Sequence, residues 1–446
     1  MVKVMEKLAL LGGKPVIEKV PEKLFKWPII GKEDEEAALD VIRNNSYSGT
    51  DITEKFQDEF ASWIGRKYAV AYCNGTASLA AAMFAVGLGK GDEMICPTKT
   101  YWASAAQATA LGASVVFCNV DPNTLCIDPD DIERCISPRT KAIMVVHYCS
   151  HPADMDRIMP IAKKHNLIVI EDVSHAQGGH YKGKMVGTFG DIAAMSLMSG
   201  KSFAAGELGI FVTDNRRMYE RGLAYGHYDK NNENYITESE DLKPYFHMPL
   251  GAVKGRANQL CTALARVQLK YYDERIREVR RAMNYFCDLI ADVPGIHVCR
   301  ANEAEGSDNA GCYAMQAIYH PEELCGLSAK KFAQAIRAEG FDRCWEGGNL
   351  PLHKHMYFKT FDFFNEGKPT RIAHNDRDLL SEDDKCAPSE EIGCMTIPRF
   401  SYYDKEWIEK YAEIFRKVAR NYEQLLETDE KAKQGGRWYG HENEQN

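Results

Sequence analysis

Between residues 68 and 172 short apolar, β-branched runs alternate with stretches of helical composition, and this alternation restricts the chain to few folds. "KYAVAYC" reads as a strand and precedes the helical "NGTASLAAAMFAVGLG". "DEMICPT" is a strand before the helix "YWASAAQATALG". "ASVVFCNV", "KAIMVVHY" and "LIVIED" are further strands, with the helix-like "DPDDIERCI" and "ADMDRIMPIAKKHN" between them. Apolar strands separated by helices predict a largely parallel sheet covered on both faces. "DIAAMSLM" and "LGIFVTD" follow on short connections and add strands to the same unit. The fold class is therefore α/β.

After about residue 254 the pattern changes. "ANQLCTALARVQLKYYDERIREVRRAMNYFCDLIADV" carries apolar residues at three- and four-residue spacing and predicts one long helix. "IHVCR", "GCYAMQAIYH" and "SAKKFAQAIRAEG" then predict a smaller α+β domain. The expected organisation is an N-terminal arm over 1–30, a large domain over 31–280 and a small domain over 281–427. A polar tail over 428–446, with few core-forming residues, is expected to be mobile. Residues 366–390, "EGKPTRIAHNDRDLLSEDDKCAPSE", read as a polar surface excursion, decoration or the rim of a substrate entrance.

A net charge of −9 argues against a nucleic-acid or anionic-membrane partner. No apolar run approaches the roughly 18–20 residues of a membrane span. The opening "MVKVMEKLALLGGKPV" is too short in apolar residues for a signal peptide, so a cytoplasmic protein is expected. Of 14 cysteines none forms a CxxC pair and many sit in apolar runs, which predicts buried reduced thiols. His147, Cys149 and His151 are close in sequence, but no second ligand pair accompanies them, and no metal site is expected.

Ligands of parallel α/β sheets bind at the carboxyl ends of strands, and four features fall there. In "CNGTASLAAA" Gly75 permits a tight turn, and Thr76 and Ala77 open a helix whose amide hydrogens favour a phosphate; an ordinary capped turn reads the same way. "LIVIEDVSHAQG" ends a strand on Glu171 and Asp172, which can pair with a cation, cap a helix or meet a protonated ring nitrogen. Lys201 lies among glycines and apolar residues in "MSLMSGKSFAAGELG". Burial there would depress its pKa and make the amine nucleophilic, able to form a Schiff base with an aldehyde; a snorkelling surface lysine is the alternative. Tyr101 and Trp102 in "PTKTYWASA" suit either stacking on a flat ring or the core. A phosphate cradle, an acid, an amine and an aromatic at successive strand ends together describe a pyridoxal 5'-phosphate (PLP) site.

The sequence also resembles the DegT/StrS-type sugar aminotransferases from about residue 8 to about residue 425. The resemblance is carried by "SGTDITEKFQDEFASWIG", "NGTASLAAA", "GDEMICPTKTYWASA", "GASVVFCNVDP", "TKAIMVVHY", "PADMDRI" and above all "EDVSHAQGGHYKGKMVGTFGDIAAMSLMSGKSFAAGELG". It implies a fold type I PLP-dependent transferase, with a mostly parallel seven-stranded sheet between helices and a smaller C-terminal α+β domain. It implies Lys201 as the Schiff-base lysine, Asp172 on the ring nitrogen, and His175, where the family often has Gln, near the cofactor's phenolic oxygen. Gly75, Thr76, Ala77 and Ser196 would meet the phosphate, and Tyr101 rather than Trp102 would stack on the ring. The family's arm into a neighbouring subunit, typically Gly-Tyr-Asn-Tyr-Arg, is replaced by "LGAVKGRANQL", with Lys254 for the Asn and Arg256 for the Arg at a spacing one residue longer. Lys254 would then touch the cofactor and Arg256 the substrate across a homodimer with shared sites. His353 in "NLPLHKHMY" is a further substrate candidate.

The implied activity is transfer of an amino group from glutamate or glutamine to a keto sugar or keto cyclitol. The opening "LALLGGKPV" is similar to scyllo-inosose aminotransferases and 3-amino-5-hydroxybenzoate synthases. Two alternatives stand beside it. One is an aromatising elimination of the latter kind, which keeps the lysine; the other is a non-enzymatic PLP- or sugar-binding regulator. Sugar dehydratases of the family carry His in place of the lysine, so Lys201 counts against that chemistry.

Overall fold

The computed structural model describes residues 6–430 and arranges the alternating segments as a seven-stranded sheet. Its strands are β1 Tyr68–Tyr72, β2 Glu93–Pro97, β3 Ser114–Cys118, β4 Thr140–Val146, β5 Ile168–Asp172, β8 Ile192–Ser196 and β9 Gly209–Thr213. A separate short ladder pairs β6 His180–Tyr181 with β7 Lys184–Met185. The sheet order is β1-β9-β8-β5-β4-β2-β3. All neighbouring pairs are parallel except those of β9, which runs antiparallel to both β1 and β8. Six strands thus direct their carboxyl ends to one edge. The flanking helices are α1 Lys32–Arg43, α2 Asp51–Ile64, α3 Gly75–Ala85, α4 Ala103–Ala110, α5 Pro129–Cys135, α6 Met155–Lys164 and α7 Arg216–Gly226. The sheet strands are buried almost throughout because both faces are covered, which is why they read as apolar runs rather than alternating ones.

The predicted long helix is α8, Gln259–Ile290. At 32 residues it is about 48 Å long, enough to belong to two cores. Ala265, Tyr272 and Ile276 pack with the large sheet, whereas Val279, Phe286 and Ile290 pack with a second core. That core covers α9 Ala329–Ala338, the helix Lys405–Arg420 and a three-stranded antiparallel sheet of β10 Ile296–Val298, β11 Gln316–Tyr319 and β12 Cys394–Thr396. The N-terminal arm joins it through Leu8, Ile17 and Leu24. Buried Glu339 fastens the arm by accepting from the amides of Ala9 (2.8 Å) and Val16 (3.1 Å) while pairing with Lys417. At the other end Asp429 accepts from the amide and hydroxyl of Ser328, the N-cap of α9. Residues 431–446 of the expected polar tail lie outside the described residues. All 14 cysteines are free and most are buried. No helix of the described residues is long and apolar enough to cross a membrane.

Residues 366–390 are not a surface excursion. Leu379 and Cys386 are fully buried in the large core, together with Leu352, Phe358 and Ile392 around them. The chain therefore returns from the small domain to the large one, inside the range expected for the small domain. Several of its polar residues face inward onto the edge strand β3 and its neighbours, while others, such as Lys368 and Asp376, are exposed. Arg371, 1% exposed, donates to the Val115 carbonyl and forms a bidentate pair with Asp383 at 2.7 Å for both bonds. Arg377 and Asn375 bind Glu93, which is itself fully buried at the start of β2. Ser389 links the Val120 amide to Asn119 just past β3. The segment closes the open edge of the sheet, a device that prevents edge-to-edge pairing. Asp383→Ala leaves the Arg371 guanidinium buried and unpaired, so a loss of about 3–5 kcal/mol is expected in urea denaturation; an unchanged midpoint would contradict this account.

Candidate active site

The edge formed by the strand carboxyl ends collects most of the residues singled out from the sequence. Asp172 is the last residue of β5 and is 4% exposed. Its Oδ2 accepts from the Ser104 hydroxyl at 2.7 Å and its Oδ1 from the Ser174 amide at 3.0 Å. Ser104 in turn lies 3.2 Å from the Thr100 hydroxyl. The carboxylate is thus aimed by α4 on one side and its own turn on the other. Glu171, one residue earlier, faces the opposite side of the sheet. It accepts from the amides of Gly187, Phe189 and Gly190 and from His147 Nε2, so its role is structural. His147 is held on its other nitrogen by the Ala153 amide, and His151 by the Pro152 carbonyl, which gives these two histidines separate partners.

Lys201 follows β8 in a tight loop and is 9% exposed. Its carbonyl accepts from Trp27 Nε1 at 2.8 Å, and its Nζ lies 4.3 Å from the centre of the Tyr313 ring. Burial lowers the amine from 10.5 to about 8, with the Asp172 carboxylate pulling the other way. The lysine is therefore buried rather than snorkelling. His175 lies in the same enclosure. Burial and the neighbouring Lys201 charge hold its pKa well below the usual value, so the ring is neutral. Its Nδ1 accepts from the Cys149 amide at 3.2 Å, which leaves the proton on Nε2 as a donor. Tyr148 stacks on this ring at 5.3 Å and Tyr313 meets it edge-on at 4.9 Å.

The phosphate loop follows β1. Asn74 caps α3, and its side chain accepts the Ala77 amide at 2.8 Å. The Ala77 N–H, one of the donors expected to meet a phosphate, is taken up by this cap. Gly75 and Thr76 open the helix and keep amide hydrogens without intrahelical acceptors. A Cβ on Gly75 would lie 2.4 Å from Ser196 Cβ, so only glycine lets this loop close onto the end of β8. Ser196 is positioned by Ser174, whose Oγ accepts its amide at 3.0 Å. Tyr101, after β2, is half-buried, while Trp102 is 39% exposed beside it at 4.9 Å. The loop donors, Ser196, Asp172, His175, Lys201 and an aromatic form a cradle whose donor set matches a phosphorylated pyridine aldehyde.

Two substrate candidates and the arm lie elsewhere. His353 is 1% exposed and uses both ring nitrogens, on Thr98 Oγ1 and on Glu390 at 2.9 Å. It pins the returning segment to β2 and has no nitrogen left for substrate. Arg256 pairs with Asp229 at 3.0 Å, and Lys254, exposed, sits over the Tyr228 ring at 5.3 Å. Neither makes a hydrogen bond or ion pair with Lys201, Asp172 or His175. Ser104, Ser174, Trp27 and Tyr313 are the site residues that sequence reasoning missed. Ser104 and Ser174 sit beside predicted strand ends, whereas Trp27 and Tyr313 arrive from distant segments.

The sequence profile of the DegT/DnrJ/EryC1/StrS aminotransferase family matches residues 28–365. A GDP-perosamine synthase of Escherichia coli O157:H7 is 36% identical over 320 residues, 67% of this chain and 84% of that protein. A protein of Streptoalloteichus tenebrarius, provisionally named L-glutamine:3-amino-2,3-dideoxy-scyllo-inosose aminotransferase, is 29% identical over 358 residues, 79% of this chain and 82% of the relative. The crystal structure of a 3-amino-5-hydroxybenzoic acid synthase superposes with a TM-score of 0.75 at 23% identity, covering 90% of this chain and 100% of the other.

Proposed function

We propose that this chain, which belongs to the DegT/DnrJ/EryC1/StrS aminotransferase family and so depends on PLP, moves an amino group from glutamate or glutamine to a keto sugar or keto cyclitol. The observation that carries the reading is the meeting of a buried amine, a carboxylate and a helix N-terminus at one sheet edge. The inosose-type acceptor is favoured by the "LALLGGKPV" start together with the name of the Streptoalloteichus relative.

Lys201, Asp172, His175, Gly75, Thr76, Ser196 and Tyr101 would hold the cofactor. When bound, PLP supplies an aldehyde for the amine and a ring that takes up the electrons of the bond broken at the amino carbon. Asp172 holds a proton on the ring nitrogen through its carboxylate, kept in place by Ser104 and the Ser174 amide. His175 Nε2 donates to the phenolic oxygen. The amides of Gly75 and Thr76, with the Ser196 hydroxyl, bind the phosphate. Lys201 Nζ would hold the cofactor's aldehyde carbon and, when free, would serve as the base for the proton on the donor's α-carbon. The Tyr148 and Tyr313 rings pack on His175, and the Tyr313 ring against the Lys201 amine would limit water beside it. Tyr228, Tyr245, Met248 and Val253, all exposed on the stretch that leads to Lys254, form an apolar surface suited to a second copy. The reading therefore includes a homodimer in which Lys254 and Arg256 serve the neighbouring site.

The test is a half-reaction screen. The enzyme is converted to its pyridoxamine form with glutamate or glutamine, then mixed with scyllo-inosose or nucleotide-linked keto sugars. Recovery of the original absorbance with scyllo-inosose is expected. Recovery with nucleotide-linked sugars alone would replace the cyclitol by a nucleotide sugar, and a protein that takes up no PLP would remove the reading altogether.

A further inference from the structure

A cluster of metal-ligating side chains lies on the small three-stranded sheet, and no hydrogen bond or ion pair of the described residues joins it to the Lys201 site. β10 is an edge strand of that sheet, and its middle residue, His297, is exposed. β11 ends at Tyr319, and the chain then turns through His320, Glu322 and Glu323. Gly295, just before β10, fastens this turn to the strand. Its carbonyl accepts from the His320 amide at 3.0 Å, and its amide donates to Glu323 Oε2 at 2.7 Å. A Cβ on Gly295 would lie 2.5 Å from Leu324 Cδ1, and its φ of +78° favours glycine as well, so the close approach needs this residue.

Strand and turn bring two imidazoles and two carboxylates together. The His297 and His320 rings lie 4.2 Å apart, centre to centre. His297 Nε2 is 3.0 Å from Glu323 Oε1, and His320 Nδ1 is 2.8 Å from Glu322 Oε1. One ligand atom each of His297, His320 and Glu323 lies within 4.8 Å of the other two. Around a tetrahedral ion with bonds of 2.0–2.1 Å such atoms are about 3.3 Å apart, so modest side-chain rotation closes the site. The Gly295 amide above all holds the Glu323 carboxyl below its usual range, which keeps it ionised near neutral pH. No lysine or arginine of the described residues forms an ion pair with Glu322 or Glu323. When the imidazoles are neutral, the two carboxylates have no counter-charge, and a dication would supply it.

We propose that His297, His320 and Glu323 bind a divalent transition metal ion of the zinc type, with Glu322 orienting the His320 ring. Two nitrogens and a carboxylate oxygen suit Zn²⁺, Co²⁺ or Ni²⁺, whereas Mg²⁺ and Ca²⁺ prefer ligand sets made of oxygen. A carboxylate on the second ring nitrogen, as Glu322 is on Nδ1, commonly accompanies a metal-bound imidazole and leaves Nε2 as the ligand atom. Water would complete the coordination. The ion would tie the edge strand β10 to the turn after β11, a staple that is independent of the transamination reading. Its ligands come from a strand and a turn far apart in the chain, so no short motif marks them in the sequence.

The test is calorimetric titration of the full, tag-free chain, loaded with PLP, with ZnCl₂. It compares the parent with His297→Ala, His320→Ala and Glu322→Gln. All three side chains reach solvent, and none supplies a bond to Gly295, so the variants should fold. The parent should take up a zinc ion that excess Mg²⁺ does not displace and that raises its thermal midpoint. Affinity for that ion should fall about 30-fold or more in each alanine variant, and about tenfold in Glu322→Gln. Zinc held by an exposed thiol such as Cys325 would not respond to these substitutions. A parent that binds no zinc overturns the proposal. So does zinc affinity within threefold of the parent in either alanine variant, or displacement of the ion by Mg²⁺. Borohydride attachment of PLP at Lys201 should be the same with and without zinc, so failure of the transamination reading and failure of this site are read from separate signals.

Discussion

Lys201→Ala is expected to lower turnover by about 10³-fold or more, because one substitution removes both the proposed covalent anchor and the proposed proton carrier. The variant should still bind PLP through the loop amides, Ser196 and Asp172, but borohydride should no longer fix it to the chain. Arginine keeps the positive charge and is expected to be as inactive, since its guanidinium stays protonated and is no nucleophile. The environment makes a further, pH-dependent result. At about 8 the amine is half neutral at pH 8, whereas an ordinary lysine there would be only about 0.3% neutral. In cofactor-free protein the rate of PLP attachment should therefore rise with pH and level off just above pH 8. A rate that keeps climbing toward pH 10.5 would mean that burial does not act on this amine, and a Lys201→Ala protein with parental turnover would remove the assignment. The sign follows from burial, which disfavours the ammonium, outweighing Asp172, which favours it.

Residues at or just past a strand's carboxyl end were the legible ones. Gly75 and Lys201 follow a strand within a few residues and Asp172 ends one, so the alternating pattern places all three on one edge once the strands are known to be parallel. For Ala77 the sequence also carried a second signal. Asn74 directly before Gly-Thr is a strong N-cap, and a capping side chain takes the third amide of the helix, the one assigned to the phosphate. Ser104 gave no comparable signal. Its partner Asp172 is 68 residues away, and a serine in the first turn of a helix has many local uses. Tyr313 and Trp27 come from the small domain and the arm, and their place depends on how two cores meet along α8. The 366–390 segment was misread for a different reason. Composition reports polarity and not pairing, and the polar residues there satisfy one another and the sheet edge: Arg371 with Asp383, Arg377 with Glu93, Ser389 with Asn119. His353 belongs to the same network, which is why a histidine near the domain boundary looked available.

Asp172→Asn is expected to slow the first half-reaction by about 10²–10³-fold, a loss typical of removing a preorganised charge from a buried reaction site. The substitution is well suited to isolate the charge. Asparagine can keep its oxygen on the Ser174 amide and turn its nitrogen to Ser104, whose hydroxyl then accepts it and donates to Thr100. No buried donor or acceptor is stranded, so the fold and the thermal midpoint should be retained. What disappears is the negative charge proposed to hold a proton on the ring nitrogen. Ser104→Ala supplies the complementary measurement. It keeps the charge and removes one of the two bonds that aim it, and a loss of about tenfold is expected. The ordering of the two variants is the discriminating result. If alanine at 104 were as damaging as asparagine at 172, orientation rather than charge would be the main contribution of this carboxylate. If asparagine at 172 left the half-reaction rate intact, neither would matter, and the proton on the ring nitrogen would have to be held by another group. Single-turnover absorbance with glutamate or glutamine measures both rates on the same signal, independently of the acceptor.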